Sequence, residues 1–160
     1  MQRSESAVRQ AAHRAREHIR ARRPRFETDR VKKREATERF FATVAGGDIN
    51  ELMELLAPEV TLWTDGGGKV RQAMRPIIGA ANVARWIAGT IKRPYEGVEI
   101  ADMAAEIVDI NGGPGIVMSG GGRVIATFTV DLDADSRIVA VHNVANPDKL
   151  HAIADGVKRI

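Results

Sequence analysis

Three glycine- and aspartate-rich turns divide the C-terminal third of the chain, and they leave few folds open. Asn111-Gly112-Gly113-Pro114, Gly120-Gly121-Gly122 and Asp133-Ala134-Asp135-Ser136 separate short runs of β-branched and apolar residues. Turns this tight join antiparallel neighbours, because a parallel pair needs a crossover of about a dozen residues or more. The spacing predicts strands over residues 98–110, 115–119, 123–131 and 137–145. Helices come before them. Over residues 29–45, Thr37, Phe40, Phe41 and Val44 share one face, and Gly46-Gly47 ends the helix. Asp48 caps a second helix with Glu51 as its capping-box partner; Leu52, Leu55 and Leu56 form its buried edge and Pro58 closes it. Residues 79–92 form another, with Val83, Trp86, Ile87 and Ile91 together. Between these helices Val60 and Leu62 alternate with Thr61 and Trp63 in a strand that ends at Asp65-Gly66-Gly67-Gly68-Lys69. Residues 70–77 read as a short returning strand. Helices first and a strand meander afterwards make an α+β arrangement. One curved antiparallel sheet wrapped by about three helices leaves a cone with an open mouth, a common place for a ligand pocket.

Charge separates the N-terminal segment from this body. Residues 1–34 hold ten Arg and two Lys against Glu5, Glu17, Glu27 and Asp29, a net charge of +8. The other 126 residues carry 12 basic and 17 acidic side chains, a net of −5. A basic arm on an acidic body points to a polyanion contact, or else to a solvated helix lacking its partner. Ser4 stands as an N-cap; Val8, Ala12, Ala15 and Ile19 follow one helical face, Arg9, His13, Arg16, Arg20 and Arg23 another, and Pro24 is predicted to stop the helix. Its apolar face is too small to hold it folded alone. With 44% hydrophobic and 28% charged residues the body can bury a core. No run approaches the roughly 18 apolar residues of a membrane span, and the charged N-terminus is unlike a secretory signal. There is no cysteine, so thiolate chemistry, disulfides and cysteine zinc sites are excluded. A bacterial cytoplasmic protein without cofactor or metal is the expectation.

Several motifs carry a family resemblance. Ser6-Ala7-Val8-Arg9-Gln10 with His13-Arg14-Ala15-Arg16 resembles the recognition helix of sigma-factor region 4. Ala57-Pro58-Glu59-Val60, the Asp65-Gly66-Gly67-Gly68-Lys69 loop, Asn111-Gly112-Gly113-Pro114-Gly115 and Asn146-Pro147-Asp148-Lys149-Leu150 resemble, in that order, the extracytoplasmic-function sigma factors with a SnoaL-like extension after region 4. Arg22-Arg23-Pro24-Arg25-Phe26 sits where that group joins its two parts. The resemblance implies a remnant of region 4 and linker over residues 1–25 and a SnoaL-like cone over 26–160. It implies partners in sigma regions 2 and 4, core RNA polymerase and promoter DNA, and a piece of a longer factor, since region 2 and the earlier helices of region 4 are not in this chain. Arg9, Gln10, His13, Arg14 and Arg16 become candidate DNA contacts: Arg can bond guanine bidentately and Gln can bond adenine. The Asp65–Lys69 loop and the Asn146–Leu150 segment become candidate regulatory contacts toward the sigma core.

Other signals weigh against this reading or fall away. Consecutive glycines can aim N–H groups at an anion, but Val70 follows Lys69 where a P-loop needs Ser or Thr. Asp131, Asp133 and Asp135 imitate the start of a calcium loop, yet Ser136 replaces its glycine and His142 its closing Glu. A rival function is a SnoaL-like isomerase, hydrolase or cyclase acting on a small hydrophobic molecule. Asp65 and His142 are its only acid–base pair, and they must meet at one substrate. Trp63, Trp86, Met103, Met118 and Phe128 are the candidate pocket lining. A third reading is a homodimerisation module.

Overall fold

The computed structural model describes residues 5–156, 158 and 159. It divides into a unit of Met1–Lys32 and a unit of Lys33–Ile160. The helix α1 spans Glu5–Gly46 and is not ended at Pro24, contrary to the sequence expectation. A proline inside a helix removes one backbone bond and crowds the preceding turn, and the Arg, Glu and Ala around Pro24 are residues whose propensity resists a break. Ser4 and the side chains of Val8, Arg9, Ala15, Arg16, Ile19, Arg20 and Arg23 lie outside the described residues.

In the second unit α1 ends as its glycines require: Gly47 takes φ 72° and its N–H donates to the Thr43 carbonyl at 3.0 Å. Asp48 then caps α2 (Ile49–Leu55) by accepting the Glu51 N–H at 3.0 Å. The chain passes directly into β1 (Leu56–Asp65), so Pro58 lies within the strand and does not close the helix. Only Ile77 and Ile78 form the returning strand, β2. The segment before them is irregular, with Pro76 unable to donate to a ladder and Thr64 Oγ1 donating to the Ala73 carbonyl at 2.9 Å. α3 spans Ala80–Thr90, burying Val83, Ala84 and Ile87.

The strand predicted from residue 98 starts later, as β3 (Ala104–Ile110). Glu96 and Gly97 both have positive φ and turn the chain so that Tyr95 pairs with Val98, and a 3-10 turn at Ile100–Asp102 follows. β4 (Gly113–Gly120), β5 (Arg123–Leu132) and β6 (Ile138–Val144) complete the meander, then α4 (Pro147–Gly156) and β7 (Lys158–Arg159). The sheet order is β2-β1-β6-β5-β4-β3-β7. Every pairing is antiparallel except β1 with β6. The α+β cone expected from the sequence is thus present, its curved sheet facing α3 and the C-terminal part of α1 across a core of Phe40, Leu52, Leu62, Val83, Ile87, Ile116 and Val141.

Alternation along β1 decides which side chains enter that core. Val60 and Leu62 are fully buried, whereas Trp63 is 49% exposed. Leu62 faces Val141 in the β6 register and Trp63 faces His142, so the two rows belong to opposite faces of the sheet. Leu62→Ala should cost about 2–5 kcal/mol in urea denaturation, while Trp63→Ala next to it should cost less than about 1 kcal/mol. Equal costs would place both on one face.

Candidate functional site

Parallel pairing of β1 with β6 brings together two segments far apart in sequence. Strands that run the same way end at the same edge, so the loop after Asp65 and the helix after Val144 emerge side by side. The Ala145 N–H donates to the Asp65 carbonyl at 2.8 Å, continuing the ladder past the strand end. Asn146 then starts α4: its carbonyl accepts the Leu150 N–H at 3.0 Å, its Oδ1 accepts the Asp148 N–H at 3.1 Å, and Pro147 takes the first helical position. Leu150 is 4% exposed and anchors the helix.

Two ion pairs cross between the segments. Lys149 Nζ donates to Asp65 Oδ2 at 2.6 Å, and Lys69 Nζ to Asp148 Oδ2 at 2.7 Å. Asp65 Oδ1 also accepts the Gly67 N–H at 2.9 Å, which folds the loop back on its first residue. A Cβ on Gly66 would strike the Val70 carbonyl oxygen, and one on Gly67 would strike the Asn146 amide. The loop therefore aims its Gly67 N–H at its own carboxylate, not at an external anion. Among the candidate regulatory residues, the structure brings Asp65, Gly66, Gly67, Lys69, Asn146, Asp148 and Lys149 into one corner, with Gly67, Lys69, Asp148 and Lys149 exposed and Gly66 buried. Gly68 completes the turn, and Pro147 and Leu150 set the helix start beneath.

The Lys149 ammonium, with help from the Gly67 N–H, holds the Asp65 carboxyl below its ordinary value of 3.8, against the opposing effect of partial burial. A lowered folded-state pKa means that the bridge contributes in full above the ordinary value and is lost as pH falls through the lowered one. Carboxyl-detected NMR should find the Asp65 midpoint below 3.8 in the folded protein, moving toward that value in Lys149→Ala; an unmoved midpoint would rule the bridge out as its cause. Gly67 and Gly68 have φ 60° and 71°. Alanine at either should cost about 1–2 kcal/mol from the left-handed backbone, and at Gly67 roughly another 1 kcal/mol from the displaced Asn146 cap. Urea denaturation of both variants checks the difference.

A second feature lies inside the cone. A cavity of about 400 Å³ is lined by Phe40, Phe41 and Val44 from α1, Trp86 and Thr90 from α3, and Ile116, Met118 and Phe128 from the sheet, with Met103 and Tyr95 toward the loops. Of the candidate lining residues, Trp86, Met103, Met118 and Phe128 meet there. Trp63 does not, because the alternation of β1 turns it to the other face. Gln72, Tyr95 and Asn143 are lining residues that the sequence reading missed. Asn143 was detectable in principle, as a polar residue two positions from buried Val141 on β6 and two from buried Ala145 just beyond the strand. Burial pushes the Tyr95 hydroxyl above its ordinary value, against the Gln72 amide that donates to it at 2.7 Å.

The candidate acid–base pair is not assembled. Asp65 is engaged by Lys149, and His142 Nε2 lies 2.9 Å from Asp131 Oδ2; neither lines the cavity. Burial raises the Asp131 carboxyl pKa, but hydrogen bonds from His142 and Lys33 outweigh it and hold the group low. In the calcium-like stretch, Asp133 is occupied by its own turn, accepting the N–H groups of Asp135 and Arg137, each at 2.9 Å. In the N-terminal unit Gln10, His13 and Arg14 are exposed. No helix among the described residues is long and apolar enough to cross a membrane.

Residues 37–150 match the family model described as SnoaL-like domain. Over 153 residues the chain is 33% identical to the ECF RNA polymerase sigma factor SigJ of Mycobacterium tuberculosis, covering 91% of this chain and 48% of that protein. The chain thus spans about half the length of the curated relative it matches. The crystal structure of SigJ is similar with a TM-score of 0.61 at 31% identity, covering 91% of this chain and 50% of that one. A steroid delta-isomerase from Pseudomonas aeruginosa shares the fold at 19% identity, with a TM-score of 0.52 over 78% of this chain and 87% of that one.

Proposed function

The chain belongs to the SnoaL-like domain family, and from that premise we propose that it is the regulatory C-terminal module of an alternative sigma factor. In this reading the cone modulates promoter binding and transcription initiation by contacting sigma regions 2 and 4 of the parent factor while that factor engages core RNA polymerase. The basic helix, with Arg9, Gln10, His13, Arg14 and Arg16, belongs to the promoter-contacting part. A small hydrophobic ligand in the cavity would tune the contact.

The observation that carries this reading is the exposed corner where the two ion pairs cross. Lys69, Asp148 and Lys149 have 57%, 67% and 63% of their side chains exposed. Pairs this exposed contribute only about 0–1 kcal/mol each, so they explain little of the fold's stability. They are cheap to redirect toward a partner, whereas the backbone beneath them is rigidly capped. Charged groups held in register on a stiff frame suit recognition. The similarity to a sigma factor runs through both the basic helix and the cone, which favours that partner over others.

The test is transcription in vitro from the cognate promoter, with the full-length factor that carries this domain. Replacing Asp65 and Lys69 together by alanine should change output by roughly threefold or more, an effect of about 0.7 kcal/mol at one contact, with thermal unfolding of the domain little altered. Unchanged output from a folded variant would overturn the proposal.

A further inference from the structure

The polar atoms inside the cavity define what it can hold. Asn143 is 3% exposed, and its Oδ1 has no hydrogen-bond partner among the described residues. Gln72 Oε1 is likewise buried and unpartnered, although the same amide donates through Nε2 to the Tyr95 hydroxyl. Leaving a buried acceptor unsatisfied costs roughly 1–3 kcal/mol, and native interiors rarely tolerate it without a ligand or ordered water. Both amides line the same cavity, whose other walls are largely aromatic and aliphatic.

The sheet register explains how Asn143 comes to face this space. Thr64, Asn143, Phe128 and Ile116 are successive cross-strand neighbours on β1, β6, β5 and β4. Phe128 and Ile116 line the cavity with Asn143. The remaining polar groups differ in what they can offer. Thr90 Oγ1 donates to the Trp86 carbonyl at 2.9 Å and is occupied. Tyr95 accepts from Gln72 and keeps its own O–H available. Arg93 is exposed, so it contributes its charge from the solvent side and not from within.

We infer that the cavity binds an uncharged, mainly apolar small molecule bearing a hydroxyl or N–H donor, which Asn143 Oδ1 and Gln72 Oε1 accept. A hydroxyl suits the site best, since it can donate to an amide oxygen and accept from Tyr95. An ether or ketone of the same shape lacks the donor, and a carboxylate would face two acceptor oxygens. This deepens the part of the proposed function that puts a ligand in the cone. Binding is measured on this chain by itself, so its failure leaves the transcription result untouched.

The experiment compares 2-naphthol with its methyl ether, 2-methoxynaphthalene, two aromatic probes that differ in the donor. Trp63→Phe removes the exposed one of two tryptophans and leaves Trp86, a lining residue, as reporter. Titration should quench Trp86, with 2-naphthol binding about tenfold tighter than the ether, as one satisfied buried hydrogen bond implies. Adding Asn143→Leu should bring that ratio close to one without weakening the ether. Should Asn143→Leu not fold, Gln72→Met should reduce the ratio. Equal affinities for the two probes, no quenching up to their solubility, or an undiminished preference in the folded amide variant would overturn the inference.

Discussion

The parallel contact between β1 and β6 is the constraint on which the rest of the molecule depends. It is the sheet's single departure from antiparallel order, and it inserts the first long strand between β2 and the end of the meander. Two consequences follow from one register. Inward, Leu62 meets Val141 and Thr64 meets Asn143, which sets the core and one wall of the cavity. At the strand ends, Asp65 meets Val144, which puts the glycine loop against the start of α4. A shift by one residue would exchange the faces of every side chain on β1, exposing Leu62 and burying Trp63.

The corner and the cavity use polar groups in opposite ways. At the corner, four charges are satisfied by one another in the open, where solvent makes each pair weak. Its stiffness comes from elsewhere: the ladder bond from Ala145, the Asn146 cap and the burial of Leu150. In the cavity, two amide oxygens are buried among apolar walls, where each unmade bond is expensive. The first arrangement can exchange partners at small cost. The second gains by acquiring one.

How far the sequence made this legible follows from how local each signal is. The turns at Asn111-Gly112, Gly121-Gly122 and Asp133–Ser136 were readable because a tight turn demands particular residues. The start of α2 at Asp48 was readable because a cap is written in adjacent residues. Pro24 misled, since a proline's local penalty does not decide whether a long helix continues. Residues 70–77 misled because a short stretch between a turn and a helix reads as a returning strand, whereas Pro76 and a side-chain bond from Thr64 hold most of it irregular. The family resemblance picked out both motifs but not the ion pairs that cross between them, which depend on a parallel pairing no local pattern announces. Gln72 and Tyr95 escaped for the same reason: their hydrogen bond joins an irregular segment to a turn. Side-chain chemistry alone puts Trp63 in the pocket, whereas the burial of its neighbour Leu62 turns it to the opposite face.

The separation along the chain between Asp65 and Lys149 also sets an order of events during synthesis. The glycine loop leaves the ribosome well before its partner helix, with nearly all of the meander still to be made. Until β6 has docked beside β1, Asp65 and Lys69 have no Lys149 or Asp148 to engage, and closing so long a stretch is slow compared with forming the hairpins within it. The corner therefore takes shape only after β6 has docked beside β1, and it reports that this one long-range pair has formed. A chain lacking Asn146 and the residues after it would carry the glycine loop without its partner helix, and anything that recognises the finished corner would pass it by.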